Sequence, residues 1–158
     1  MEITVATSNN DKFREISLFL KEHEITTKQL DMEIEEEGDT LEEIAEMKVK
    51  AAFKKINKPV IADDTGLYFM TYDNFPGHKA KRVFQELGLN GVMEKLEGKD
   101  RSALFRTVIC FFDGNQMKTF IGEINGKIAE EFGQDGTKQL VYDKLFIPKG
   151  KNDTFSSL

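Results

Sequence analysis

A chain of 158 residues has the length of one ordinary domain with a substantial buried core, so residues 1–158 are expected to form a single domain, built in two lobes. With 39% hydrophobic and 32% charged residues the composition excludes a disordered chain, and a net charge of −6 with pI near 5.1 argues against a nucleic-acid polymer as partner while leaving room for a small anion bound locally. No apolar run approaches the roughly 20 residues that cross a bilayer, no basic and apolar leader opens the chain, and the only cysteine, Cys110, lies in the apolar run Val108-Ile109-Cys110-Phe111-Phe112; a cytoplasmic protein with no membrane partner is expected.

In chain order, Ile3 and Val5 alternate with polar neighbours in a first strand. Thr7-Ser8-Asn9-Asn10-Asp11 then supplies turn and N-cap chemistry before Phe13, Ile16 and Leu20 recur at helical spacing. A short strand over 25–30 precedes the acidic stretch Glu33-Ile34-Glu35-Glu36-Glu37-Gly38, and a second helix begins near Thr40 with Leu41, Ile44, Ala45 and Ala52 facing inward. Pro59 closes the connection. Val60-Ile61-Ala62 suits a buried strand that ends at Asp63-Asp64-Thr65-Gly66. Phe75-Pro76-Gly77 reads as a turn, and residues 79–97 as helix with a break near Gly88 to Gly91. Segments 103–112 and 116–124 flank Asp113-Gly114-Asn115 as a hairpin. Tyr142-Asp143 and Leu145-Phe146-Ile147 follow, and the pattern as a whole predicts a mixed α/β domain.

Common catalytic solutions are absent: there is no Walker A loop, no dinucleotide fingerprint, no paired zinc histidines and no Cys-x-x-Cys. Carboxylate and lysine chemistry remains. Thr7-Ser8-Asn9-x-x-Lys12 can aim backbone N–H groups, hydroxyls and an ammonium at phosphate oxygens from a helix N-terminus, or it can be an N-cap followed by a solvated lysine. Glu35, Glu36 and Glu37 read either as a solvated acidic turn or as oxygen donors. Lys48 follows Leu41 by seven residues, within about 20° on a helix, so it leaves from the inward face and either meets an anion or snorkels past the core. Asp63 and Asp64 after an apolar strand are costly unless hydrogen-bonded or bound to a cation. Strand alternation sends one into the site, while the other braces the Thr65-Gly66 turn; two turn-capping aspartates are the alternative.

Taken together, the ordered motifs resemble the inosine triphosphate pyrophosphatase family, which converts non-standard purine triphosphates such as ITP, dITP and XTP to monophosphate and pyrophosphate. They are Ala6-Thr7-Ser8-Asn9-x-x-Lys12, Glu36-x-Gly38-x-Thr40 with Glu43 and Lys48, Ala62-Asp63-Asp64-Thr65-Gly66-Leu67, Phe75-Pro76-Gly77, Asp100-Arg101-x-Ala103-x-Phe105, Phe120-x-Gly122, Tyr142-Asp143 and Thr154-Phe155. The resemblance implies a mixed twisted sheet with flanking helices around a central substrate cleft, a homodimer and a Mg²⁺ cofactor. It makes Glu36 and Asp64 metal and water-activating carboxylates, with Asp64 and Lys48 catalytic. Thr7, Ser8, Asn9, Lys12, Thr65, Gly66, Lys81, Tyr142 and Asp143 become substrate contacts. Departures collect where the base is read: Leu140 stands for a stacking phenylalanine, Lys79-Ala80 for Tyr-Ser, and no Ser-His-Arg motif follows Thr154-Phe155 within the 158 residues. Altered base selectivity is therefore expected, with a silent nucleotide-binding protein or a phosphohydrolase of changed substrate as rival readings.

Overall fold

Turn signals and apolar periods resolve into strands β1 (Glu2–Ala6), β2 (Thr26–Leu30), β3 (Val60–Phe69), β4 (Pro76–Gly77), β5 (Ser102–Phe112), β6 (Met117–Ile128) and β7 (Phe146–Pro148), with helices α1 (Asn10–Lys21), α2 (Leu41–Ile56) and α3 (Ala80–Glu94). This is the computed structural model of the chain, and it describes residues 1–33, 38–130 and 145–152. Among the described residues the strands form one mixed sheet in the order β2-β1-β3-β5-β6-β7, with β4 beside β3. The mixed α/β class expected from the sequence is the class observed. Among the described residues no helix is long and apolar enough to cross a membrane.

The chain divides into two compact units, Met1–Asp64 with Thr107–Ile121, and Thr65–Arg106 with Gly122–Leu158; β3, β5 and β6 each run from one into the other. In the first unit β1 pairs in parallel with β2 on one side and β3 on the other. Right-handed crossovers in opposite directions across the sheet, from β1 out to β2 and from β2 back past β1 to β3, place α1 and α2 on opposite faces. The side chains agree: Ile3, Val5 and Ile61 form a buried cluster with Phe13, Ile16 and Leu20 of α1. On α2, Leu41, Ile44, Ala45, Val49 and Ala52 are buried, each large one contributing about 1.5–3 kcal/mol. The expected alternation of β1 is not kept, since Ile3, Thr4, Val5 and Ala6 are all buried; a strand covered on both faces has no solvent side.

Both helices start where the cap signals lie. Asn9 Oδ1 accepts from Lys12 N at 3.1 Å, and Thr40 Oγ1 accepts from Glu43 N at 3.1 Å while Glu43 Oε2 reaches back to Asp39 N. Glu43 is thus a capping residue of α2. Lys50 is exposed, as its place on the outer face requires.

The hairpin turns where expected. Asp113 Oδ1 accepts from Gln116 N at 2.6 Å and Asn115 N at 2.9 Å, and Gly114 takes φ +92° against the ring of Phe53. The Gln116 N–H, then that of Asn115, holds the Asp113 carboxyl below its ordinary value of 3.8. A depressed folded pKa means that the turn's stabilisation is full above the ordinary carboxylate value and is lost as pH falls through the folded one. Protection of the Asn115 and Gln116 amides, their exchange relative to the intrinsic rate at each pH, should therefore fall below about pH 4, an effect that Asp113→Ala abolishes by removing the protection at every pH. Protection factors that persist unchanged in acid would refute it. Cys110 behind the hairpin is fully buried, and burial pushes its thiol up from 9.0, so it is packing rather than a nucleophile.

In the second unit, Leu67, Phe69, Ala80, Val92, Leu96, Ala103, Ile128, Leu145 and Phe146 form one core. Gly88, at φ 70° and ψ 173°, interrupts α3 at the expected break. The Phe75-Pro76-Gly77 turn requires correction: Pro76 and Gly77 form β4, pairing antiparallel with Tyr68 and Leu67 after a cis Phe75-Pro76 bond. The Asp100-Arg101-x-Ala103-x-Phe105 motif also has a structural account. Asp100 Oδ1 accepts from Ser102, Arg101 donates to the carbonyls of Ile128 and Ala129, and Phe105 packs edge-on against Phe146 at 5.1 Å.

Candidate active site

The loop from β1 to α1 is built before anything binds it. Thr7 N donates to Leu30 O, Thr7 Oγ1 accepts from Asn9 N at 3.1 Å, and Asn9 Oδ1 caps α1, so these atoms shape the loop while Ser8 is exposed. From β2, Gln29 Nε2 donates to Thr7 O at 3.1 Å and to Asn10 Oδ1 at 3.0 Å. Gln29 was missed in the sequence, because a glutamine in a polar strand carries no signal until the parallel register sets it beside the loop.

The expected end of the strand after Ala62 requires correction. β3 continues to Phe69, so Asp63 and Asp64 are mid-strand and both buried at 6% exposure. Consecutive strand residues face opposite ways. Asp63, two residues beyond Ile61, lies on the α1 face, where its Oδ2 meets Lys12 Nζ at 2.7 Å. Asp64 meets Lys48 Nζ of α2 at 3.5 Å, and the same ammonium donates to the Asp63 carbonyl at 3.2 Å. Asp63 therefore does not brace the Thr65-Gly66 turn, and Lys48 meets an anion rather than only snorkelling past the core. Removing a charge from water costs several kcal/mol even after relaxation, so two such pairs, one on each face of β3, are poor stabilisers.

The remaining predicted residues are not gathered here by the described contacts. Thr65 and Gly66 open the second unit; a Cβ on Gly66 would lie 3.0 Å from Gly77 O and from the Tyr68 ring, so the close approach of β4 favours a glycine there. Lys81 is exposed in the first turn of α3. Glu36, Leu140, Tyr142, Asp143, Thr154 and Phe155 lie outside the described residues. Among the described residues no three acidic, histidine or cysteine side chains gather as a metal cage.

A capped strand–loop–helix beside two carboxylates, each faced by a lysine from a different helix, defines an α/β protein equipped for phosphate chemistry. The chain belongs to the Ham1 family, whose profile matches residues 3–158, in agreement with the family resemblance of the motifs. It is 39% identical to the dITP/XTP pyrophosphatase of Saccharolobus solfataricus, over 100% of this chain and 82% of that protein, and 35% identical to that of Methanopyrus kandleri, over 100% and 85%. The solved HAM1 protein of Coxiella burnetii matches with TM-score 0.83 and 28% identity, covering 100% of this chain and 87% of that one.

Proposed function

We propose that this chain hydrolyses nucleoside triphosphates, non-standard purines such as ITP, dITP and XTP among them, to nucleoside monophosphate and pyrophosphate with Mg²⁺. The observation that carries this reading is the pair of buried aspartate–lysine contacts on β3, one from each flanking helix. The names of its relatives supply the substrate class.

Two carboxylates and two ammonium groups sum to no net charge, so a polyanionic triphosphate brings uncompensated charge that a divalent cation must share. The donor set fits a hard ion: Asp64, with Glu36, offers oxygen atoms, and Mg²⁺ is ordinarily held by one or two carboxylates plus substrate phosphates rather than by an all-protein cage. When bound, Mg²⁺ would neutralise phosphate charge at Asp64 and Glu36. The chain's own residues do the rest. Thr7, Ser8 and Asn9 with the α1 N-terminus and Lys12 hold the triphosphate. Asp64 orients the water that attacks the α-phosphorus and accepts its proton. Lys48 offsets the charge that develops on the departing pyrophosphate. Thr65, Gly66, Lys81, Tyr142 and Asp143 complete the substrate contacts on family grounds.

The test is pyrophosphate release from ITP, dITP, XTP and the four standard triphosphates, with Mg²⁺ or with chelator. Release should be greatest from the non-standard purines and should fall to background on chelation. Equal and negligible release from all of them would sink the reading, and calorimetric ITP binding without turnover would replace it by a silent nucleotide-binding protein. The same reading places the enzyme in the cytoplasm as one domain over 1–158 and as a homodimer. Exposed Phe120, Ile121 and Ile124 along β6 support the dimer. Sedimentation should give twice the 18.0 kDa chain mass, and a monomer at all concentrations would refute it.

A further inference from the structure

We infer that Asp63 is a positioning residue for Lys12, not a second metal carboxylate beside Asp64. This rests on the phosphate-binding role proposed for Lys12 and adds to it a residue that the motif reading left to a turn.

The geometry separates the two aspartates. They are adjacent on an uninterrupted strand, so their side chains leave on opposite faces, Asp63 toward α1 and Asp64 toward α2. Two carboxylates so directed do not converge on one ion. Asp63 is instead occupied at 2.7 Å, the closer of the two contacts, by the ammonium of a lysine whose side chain is 21% exposed against its own 6%. An ammonium carries three N–H donors, and one suffices for Asp63 Oδ2; the others remain for phosphate oxygens. The helix start is fixed independently by the Asn9 cap, so the carboxylate decides only where the flexible lysine stem ends. The backbone of the same residue serves the other side, its carbonyl accepting from Lys48. A side-chain substitution at Asp63 therefore removes the hold on Lys12 and leaves that on Lys48 in place.

A double-mutant cycle tests this with Asp63→Ala, Lys12→Ala and the combined variant. It is read by calorimetry with inorganic tripolyphosphate in chelator, by steady-state kinetics with dITP, and by the Mg²⁺ concentration giving half-maximal rate. Asp63→Ala should weaken tripolyphosphate binding about tenfold, the size of a charge-assisted hydrogen bond. It should raise KM in proportion while kcat stays within about threefold and Mg²⁺ half-saturation is unchanged. In the Lys12→Ala background it should cost nothing more. If Asp63→Ala does not fold by thermal melting, Asp63→Asn carries the cycle, with a loss of about threefold expected because the amide oxygen still accepts from Lys12. Losses that multiply in the double variant overturn the inference, as does a shifted Mg²⁺ half-saturation with tripolyphosphate affinity intact. Coupled binding without any triphosphate turnover would leave the positioning role standing and defeat the hydrolytic reading instead. A wild-type protein that does not bind tripolyphosphate defeats the positioning role whatever its turnover.

Discussion

Asp64→Asn is expected to lower pyrophosphate release at saturating triphosphate by about 10²–10⁴-fold, the range for loss of a positioned general base. The substitution keeps the volume and one acceptor oxygen of a buried side chain, so it removes charge and basicity and little else. Lys48, 3.5 Å away, loses the Asp64 charge but keeps the Asp63 carbonyl. Its side chain is 17% exposed, so the ammonium can turn toward water, and the stability cost should be about 1–3 kcal/mol rather than that of a fully buried broken pair. For a chain of this size that lowers Tm by roughly 2–4 °C per kcal/mol, which leaves the protein folded at assay temperature. The loss should fall on kcat, in contrast to the KM effect expected for Asp63→Ala, because Asp64 acts on the attacking water whereas Asp63 acts through a phosphate contact. A variant that melts as expected and retains more than about a tenth of the wild-type kcat would remove Asp64 from the catalytic step.

Gly126→Ala should be the most damaging small substitution for stability. β7 lies antiparallel on β6, with Gly126 opposite Pro148, Lys127 opposite Ile147 and Ile128 opposite Phe146. A methyl group on Gly126 would collide with the carbonyl oxygen of Ile147 and stand 2.6 Å from Phe146 Cζ. The oxygen belongs to backbone held in a ladder, so the strand itself must move. Moving it withdraws Phe146 and Leu145, both fully buried, from the core they share with Leu67, Phe69, Val92 and Leu96. Loss of that packing costs about 3–5 kcal/mol, and the melting temperature should fall by about 10 °C. A fall of less than about 3 °C would show that β7 yields cheaply.

Helices and turns were the most legible parts of the fold, because they are set by neighbours in the chain. The Asn9 and Thr40 caps, the inward face of α2, the break at Gly88 and the Asp113-Gly114-Asn115 turn all rest on contacts within a few residues or one helical period. Strand extents were less so. Asn125-Gly126 after 116–124 carries turn chemistry, yet β6 runs on to Ile128; this glycine is there because another strand passes close. Asp63-Asp64 likewise looked like a stop, since two carboxylates inside a strand are expensive. They are tolerated because Lys12 and Lys48 arrive from helices on opposite faces.

The family was therefore readable in the chain by itself, from the order of the motifs that hold Thr7, Asn9, Lys12, Lys48 and the acidic pair. What local sequence could not assign was which lysine serves which carboxylate. Strand alternation makes Asp63 and Asp64 unlike neighbours, but only the crossovers that place α1 on one face of β3 and α2 on the other determine that Asp63 holds Lys12 while Asp64 faces Lys48. The division of labour between two adjacent, identical residues is a property of the sheet's topology, because the partners that distinguish them lie 51 and 16 residues away in the chain.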